Sequence, residues 1–169
     1  MDDESRLIAY ETPHLRRFAV ALTGHPEQAD DLVQDAVERA LRKRRGWRRT
    51  GNLRSWLFRI LYRLYLNKRK RQRLENDRAR TMEAEATATV APDQEKRVEV
   101  LNIAAALDHL PAEQREAVLL VGLEGLSYDE AAYVMGVAVG TVKSRLYRGR
   151  ETLSVVRDHE GSAQIRRVK

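Results

Sequence analysis

Ser127-Tyr128-Asp129-Glu130-Ala131-Ala132-Tyr133-Val134-Met135-Gly136-Val137-Ala138-Val139-Gly140-Thr141-Val142-Lys143-Ser144-Arg145-Leu146-Tyr147-Arg148-Gly149-Arg150 reads as two helices joined by a tight turn. Ser127 followed by Glu130 is a capping box, in which the hydroxyl takes the third backbone N–H and the carboxylate reaches back. Gly136 supplies a permissive turn residue. Ala131 or Ala132 leaves room where the helices meet, and Val142 gives the second helix an inward apolar side chain. From Thr141 onward that helix offers Lys143, Ser144, Arg145, Tyr147, Arg148 and Arg150, groups suited to phosphates and to base edges in the major groove. A plain helical hairpin with solvated arginines is the alternative. The coincidence of cap, turn and basic exit helix favours DNA reading.

Upstream, Leu15, Phe18, Ala19 and Leu22 recur at helical spacing until Gly24. Pro26 suits the first turn of a second helix, with Val33, Ala36, Val37, Ala40 and Leu41 as its apolar stripe. A third stripe is Leu53, Trp56, Leu57, Ile60, Leu61 and Leu64, with Trp56 read as core. Three helices pack into one bundle. Large apolar side chains then almost vanish up to Pro92, the composition of a flexible linker, with a continuous polar helix as the alternative. Periodicity resumes with Val98, Leu101, Ala104, Ala105 and Leu107. Pro111 opens a further helix, in which Ala117, Val118, Leu120 and Val121 face inward. The expected fold is all-α, with helical domains at 6–72 and 98–156, a flexible linker at 73–97 and a tail at 157–169.

The 169 residues carry 31 Lys+Arg and 25 Asp+Glu, a net charge of +6. That balance hides an asymmetry. Residues 42–73 hold 14 basic side chains and no acidic one, whereas 1–41 carry a net −5. A segment so unbalanced repels itself unless a polyanion neutralises it, and counterion release makes nucleic acid the favoured partner over a membrane surface. Cysteine is absent, which excludes disulfides, a thiol nucleophile and thiolate metal sites. The four histidines have no ligand-spaced partner, so no metal and no cofactor is expected. No apolar run approaches the ~18 residues of a membrane span, and the acidic start lacks a signal-peptide core. A soluble, intracellular protein is expected. Phosphate loops, zinc-protease and nucleophile-elbow motifs are absent from the sequence, so an enzyme is not expected.

Two groups of motifs resemble the bacterial extracytoplasmic-function sigma factors, the compact branch of the sigma-70 family with only domains 2 and 4. Ala29-Asp30-Asp31-Leu32-Val33-Gln34-Asp35-Ala36 resembles the family's D-D-L-V-Q-E/D signature. Leu53-Arg54-Ser55-Trp56-Leu57-Phe58-Arg59-Ile60-Leu61 resembles its promoter-melting helix, W-L-[FY]-x-I. Asp108-His109-Leu110-Pro111 and Gly125-Leu126-Ser127-Tyr128-Asp129-Glu130-Ala131-Ala132 resemble the opening of its domain 4. Val139-Gly140-Thr141-Val142-Lys143-Ser144-Arg145-Leu146 resembles the domain 4 recognition helix almost letter for letter. The run Val121-Gly122-Leu123-Glu124-Gly125-Leu126-Ser127-Tyr128 resembles the alphaproteobacterial general-stress-response subset.

The resemblance implies a cytoplasmic protein that binds RNA polymerase core, through the clamp helices of the largest subunit and the flap of the second largest, and directs it to promoter DNA. Asp30, Asp31, Gln34 and Asp35 match the polymerase-docking positions, in keeping with an acidic face on a basic protein. Trp47, Arg48, Arg49, Arg54, Arg59, Tyr62 and Arg63 fall where the family melts and holds the −10 strand; Tyr62 and Tyr65 are stacking platforms or packing residues. Thr141, Lys143, Ser144, Arg145, Tyr147 and Arg148 fall in the −35 reader. An anti-sigma factor is the implied regulator. Arg63 stands where the family commonly has Asn, a departure that bears on promoter sequence. A stand-alone helix-turn-helix regulator is the alternative, and it leaves Asp30–Asp35 and the basic stretch unexplained.

Overall fold

The computed structural model describes residues 3–44, 47, 51–80 and 105–166, with side chains as far as 155. Its principal helices are α1 (Asp3–Thr23), α2 (Pro26–Lys43), α3 (Leu53–Arg80), α4 (Ala112–Val118), α5 (Tyr128–Met135) and α6 (Val139–Arg166). No strand occurs among the described residues, so the chain is all-α as its sequence implies.

In α1, Leu15, Phe18, Ala19 and Leu22 are buried as expected, and Ile8 carries the stripe two turns further back. The helix runs through Pro13, and Gly24 ends it at φ +71°, donating its N–H to the Val20 carbonyl at 2.9 Å. Pro26 then occupies the first turn of α2, where its missing N–H costs nothing. The inward face of α2 is Ala29, Leu32, Val33, Ala36 and Ala40. Val37 is only half-buried and Leu41 is exposed, so the face is turned by about one residue from the expected stripe. Three alanines on this face let α2 approach its neighbours closely.

Helix α3 is buried over a wider arc than one apolar stripe. Leu57, Phe58, Leu61, Tyr62 and Tyr65 are its most buried large side chains, while Leu53, Trp56, Ile60 and Leu64 are half-buried. The reason is that α3 is covered on two sides, by α1 and α2 and by α5 of the C-terminal unit. Phe18 and Phe58 meet at 5.3 Å between ring centroids. Removing each such side chain from water stabilises the fold by about 1.5–3 kcal/mol. Beyond position 72, where the stripe gives out, the helix continues to Arg80 with Leu74 exposed. No Gly or Pro interrupts 53–80, and its Leu, Arg, Lys and Glu are strong helix formers.

In the C-terminal unit, α4 leads directly into a wide turn, Leu119–Leu123, of π-helical type. Leu120, Ala117, Leu126, Ala131, Val134, Val142 and Leu146 form its core. Helix α6 crosses α4 at Gly149, where an added Cβ would lie 2.8 Å from Val118 Cγ2. Helix α6 does not stop near 155 but continues to Arg166, through Gly161 and into the expected tail. One continuous apolar cluster joins the two units. Positions 81–97 of the expected linker, and 98–104 at the start of the second expected domain, lie outside the described residues.

Candidate nucleic-acid interface

The helix-turn-helix has the geometry its sequence calls for. Ser127 Oγ accepts from the Glu130 N–H at 3.1 Å, and the Ser127 N–H donates to Glu130 Oε2 at 2.8 Å. The backbone bond from Ser127 is the main cause that holds the Glu130 carboxyl below its usual range. Gly136 closes α5 at φ +69°, ψ 35°, a left-handed conformation that disfavours a side chain. Val142 and Leu146 pin α6 from beneath. Lys143, Ser144, Tyr147 and Arg148 therefore stand exposed on its outer side, with Tyr147 at 65% exposure. Thr141 and Arg145 are half-buried, and Arg145 pairs with Glu113 at 3.1 Å. Lys143 Nζ lies 5.7 Å from the Tyr128 ring centroid. Ser144 donates to the Thr141 carbonyl at 3.0 Å.

On the opposite unit, Asp30, Asp31, Gln34 and Asp35 are all exposed on the outer face of α2. Arg16 Nε donates to Asp30 at 2.6 Å, and Gln34 donates to Glu38 at 3.3 Å. The group forms a continuous polar, acidic surface facing away from the core.

The candidate strand-binding residues divide. Arg48 and Arg49 lie outside the described residues. Trp47 is half-buried with its ring 6.4 Å from that of Trp56. Its indole N–H is buried and has no hydrogen-bond partner among the described residues. Trp56 packs at the edge of the core rather than within it. Arg63 is exposed. Arg54, Arg59 and Tyr62, by contrast, are all taken up by the C-terminal unit. Arg54 Nη2 donates to the Glu124 carbonyl at 2.8 Å and to its carboxylate at 3.2 Å. Arg59 Nη1 donates to the Tyr133 carbonyl at 2.5 Å, with its guanidinium 4.3 Å from the Tyr133 ring centroid. The Tyr62 hydroxyl donates to Glu116 at 2.6 Å inside the core. In this conformation Tyr62 is a packing residue, 5% exposed, and so is Tyr65.

Residues that sequence reasoning passed over complete this junction. Glu124 has a wholly buried side chain and accepts from Arg17 as well as Arg54, while His14 Nδ1 lies 3.6 Å away. Glu116 is buried too, with Arg69 at 3.7 Å. Burial pushes the Glu116 carboxyl up, opposed by the bond from Tyr62, and burial pushes the Tyr62 phenol far above its usual value. Asn52 donates to Glu130. Two carboxylates inside apolar periodicity, at 116 and 124, were the one available signal, since buried acids require partners. Among the described residues no cluster of His, Asp or Glu is arranged to hold a metal ion. No helix among them is long and apolar enough to cross a membrane.

This geometry is that of a two-part sigma-70-type protein. Residues 101–153 match sigma-70 region 4, and residues 8–62 match the Sigma2 domain of PhyR. The chain is 42% identical over 149 residues to the ECF RNA polymerase sigma factor EcfG of Rhodopseudomonas palustris, spanning 88% of this chain and 82% of that protein. It is 32% identical to the ECF sigma factor SigE of Mycolicibacterium smegmatis, over 90% of this chain and 61% of that one. Its fold superposes on the sigma factor RpoE of Bartonella quintana, solved in complex with the anti-sigma factor NepR, with a TM-score of 0.80. That match has 33% identity and covers 94% of this chain and 98% of RpoE. CnrH, solved with the cytosolic domain of CnrY, superposes with a TM-score of 0.69 at 27% identity, over 92% and 88% of the two chains. The chain belongs to the extracytoplasmic-function family of RNA polymerase sigma factors. As a sigma factor it joins polymerase core and directs promoter-specific initiation.

Proposed function

We propose that the two units divide this work as the motifs suggest. The 6–72 domain docks on polymerase through Asp30, Asp31, Gln34 and Asp35 and holds the −10 strand through the basic loop and α3. The 98–156 domain reads the −35 element through α6, with 73–97 as the tether between them and 157–169 as an appended tail. The observation that carries this reading is the exposed row of Lys143, Ser144, Tyr147 and Arg148 on a helix pinned by buried Val142 and Leu146. Such a rigid helix can enter a major groove, about 12 Å wide. An acidic face on the opposite unit supports a second, proteinaceous partner, which a stand-alone regulator does not need.

Similarity to EcfG and to the RpoE–NepR complex supports a place in the general stress response and control by a NepR-like anti-sigma factor. The protein would act in the bacterial cytoplasm, where polymerase is, and would catalyse no reaction of its own. Run-off transcription with purified core on a pool of promoter fragments tests the proposal. Transcripts that depend on the protein and share −10 and −35 elements are expected. Duplex binding without core binding or initiation would favour the stand-alone regulator.

A further inference from the structure

We infer that Tyr128, which lies on α5 and not on α6, is a positioning residue of the −35 reader: its ring holds the Lys143 ammonium over one place in the groove and so sets the base preference where Lys143 meets the duplex. The inference rests on the reading of α6 as the −35 helix.

The exposed readers on α6 are not equally well directed. The Ser144 hydroxyl is tied to the Thr141 carbonyl at 3.0 Å, and the Tyr147 hydroxyl donates to Glu151 one turn along. Both ties stay within α6. Lys143 is a point charge on a flexible four-carbon stem, the least self-directing of the group. Its anchor comes from the neighbouring helix. Nζ lies 5.7 Å from the Tyr128 ring centroid, within the reach of a cation–π contact.

The ring is itself held by its place in the chain. Tyr128 is the first residue of α5, and the reciprocal bonds between Ser127 and Glu130 close the helix start around it. Gly136 then turns the chain, and buried Val142 pins α6 one residue before Lys143. Packed backbone therefore sets the separation of ring and lysine. At 38% exposure the ring still faces solvent in part, so the ammonium resting on it is not buried. An ammonium has three N–H donors, and one that lies on an aromatic face keeps donors directed outward. Those suit the acceptors of a base edge, such as guanine O6 and N7. A side chain ordered before DNA arrives loses less freedom on binding, and the charge is less free to meet a wrong base. A tyrosine hydroxyl on a phosphate would act otherwise, strengthening binding to every sequence alike.

The test uses the full chain assembled with core polymerase. The template is a promoter library in which the upstream element recovered by run-off selection is randomised. Barcoded transcripts are counted by sequencing, which gives a base preference at each position. Lys143→Ala is expected to flatten the preference where Lys143 reads. Tyr128→Leu is expected to flatten it at the same place, by about two- to fivefold, the strength of an exposed cation–π contact, and to leave the other positions unchanged. Tyr128→Gln, similar in length and polar, should repeat that result without a change in surface apolarity. Tyr128→Phe, which keeps the ring, should keep the preference. In a Lys143→Ala chain, Tyr128→Leu should have no further effect there. An unchanged profile in Tyr128→Leu and Tyr128→Gln overturns the inference. So does equal weakening at every position, which marks a packing or phosphate role, and so does loss of the preference in Tyr128→Phe. If Lys143→Ala itself leaves the profile unchanged, the reading of α6 fails instead. Thermal melts of each variant exclude unfolding as the cause.

Discussion

The buried carboxylate of Glu124 accepts both the Nε–H of Arg17, at 2.8 Å, and its Nη2–H, at 2.9 Å. A fork on a carboxylate is among the stronger side-chain pairings, and here one partner has no access to water. The guanidinium is held charged by this bond more firmly than usual. Arg17→Ala is expected to destabilise the folded chain by about 1–3 kcal/mol, since a buried acceptor loses donors. Arg54 still reaches the same carboxylate, so Arg54→Ala and Arg17→Ala together should cost more than the sum of the two alone. Urea denaturation of the two single variants and the double variant checks this; strict additivity would mean the two arginines act independently.

Lys143→Ala combined with Arg148→Ala should abolish −35-dependent transcription and leave core binding intact. Each base contact of this kind contributes about 1–3 kcal/mol of discrimination. Run-off assays on templates with and without the −35 element, alongside native-gel assembly with core, separate the two effects. Loss of core binding would refute the division between the units.

The opposite surface gives the mirror-image result. Asp31→Lys with Asp35→Lys reverses charge at two exposed positions of α2. Assembly with core should weaken by at least about tenfold, while the melting temperature stays nearly constant, as surface substitutions shift stability by only about 0.5 kcal/mol. Unchanged affinity for core would remove this face from the docking surface.

The pH dependence of the junction follows from Glu116. Its carboxyl is raised above the ordinary 4.5, chiefly by burial. The folded form thus binds the proton more tightly than the unfolded one. Its stabilising contribution is full below 4.5 and is lost as pH rises through the folded value. Glu116→Gln mimics the protonated acid and can still accept from Tyr62. Its melting temperature should fall less than that of the unmodified chain as the pH is raised from 4.5 to 7.5. Parallel curves would show that Glu116 does not titrate differently on folding.

At the crossing of α4 and α6, Gly149→Ala should destabilise by about 1–3 kcal/mol, the usual range for overpacking. The added methyl would meet Val118 Cγ2 at 2.8 Å. Val118→Ala in the same chain should restore part of the loss; a fully stable single variant would mean the helices part freely.

The helix-turn-helix was legible because each of its parts is local. Ser127 and Glu130 are three residues apart, and Gly136 announces its backbone by its type. The acidic face of α2 was legible for the same reason. The reach of α3 to Arg80 and of α6 to Arg166 was not, because the sequence of neither end carries an apolar period to follow. Nor was the role of Tyr62, whose partner Glu116 lies 54 residues away. Periodicity shows that a face is buried, but not which distant element covers it. The second cover on α3 widened its buried arc and drew in Phe58, Tyr62 and Tyr65.

The wide turn at Leu119–Leu123 has a consequence for insertions and deletions. A regular helix advances about 100° per residue, and a π-type turn absorbs one residue without that advance. The Glu124 N–H closes this loop on the Leu119 carbonyl at 3.0 Å, and the Leu126 N–H reaches Leu120 at 3.0 Å. The turn therefore sets the phase of everything after it. Loss of a single residue there, such as Gly122, is met by the turn tightening to a regular α-helical one, which keeps the Glu124 side chain in phase with Arg17 and Arg54. The segment thus holds one residue in reserve, and its removal spares a register that the same deletion in a regular helix would destroy.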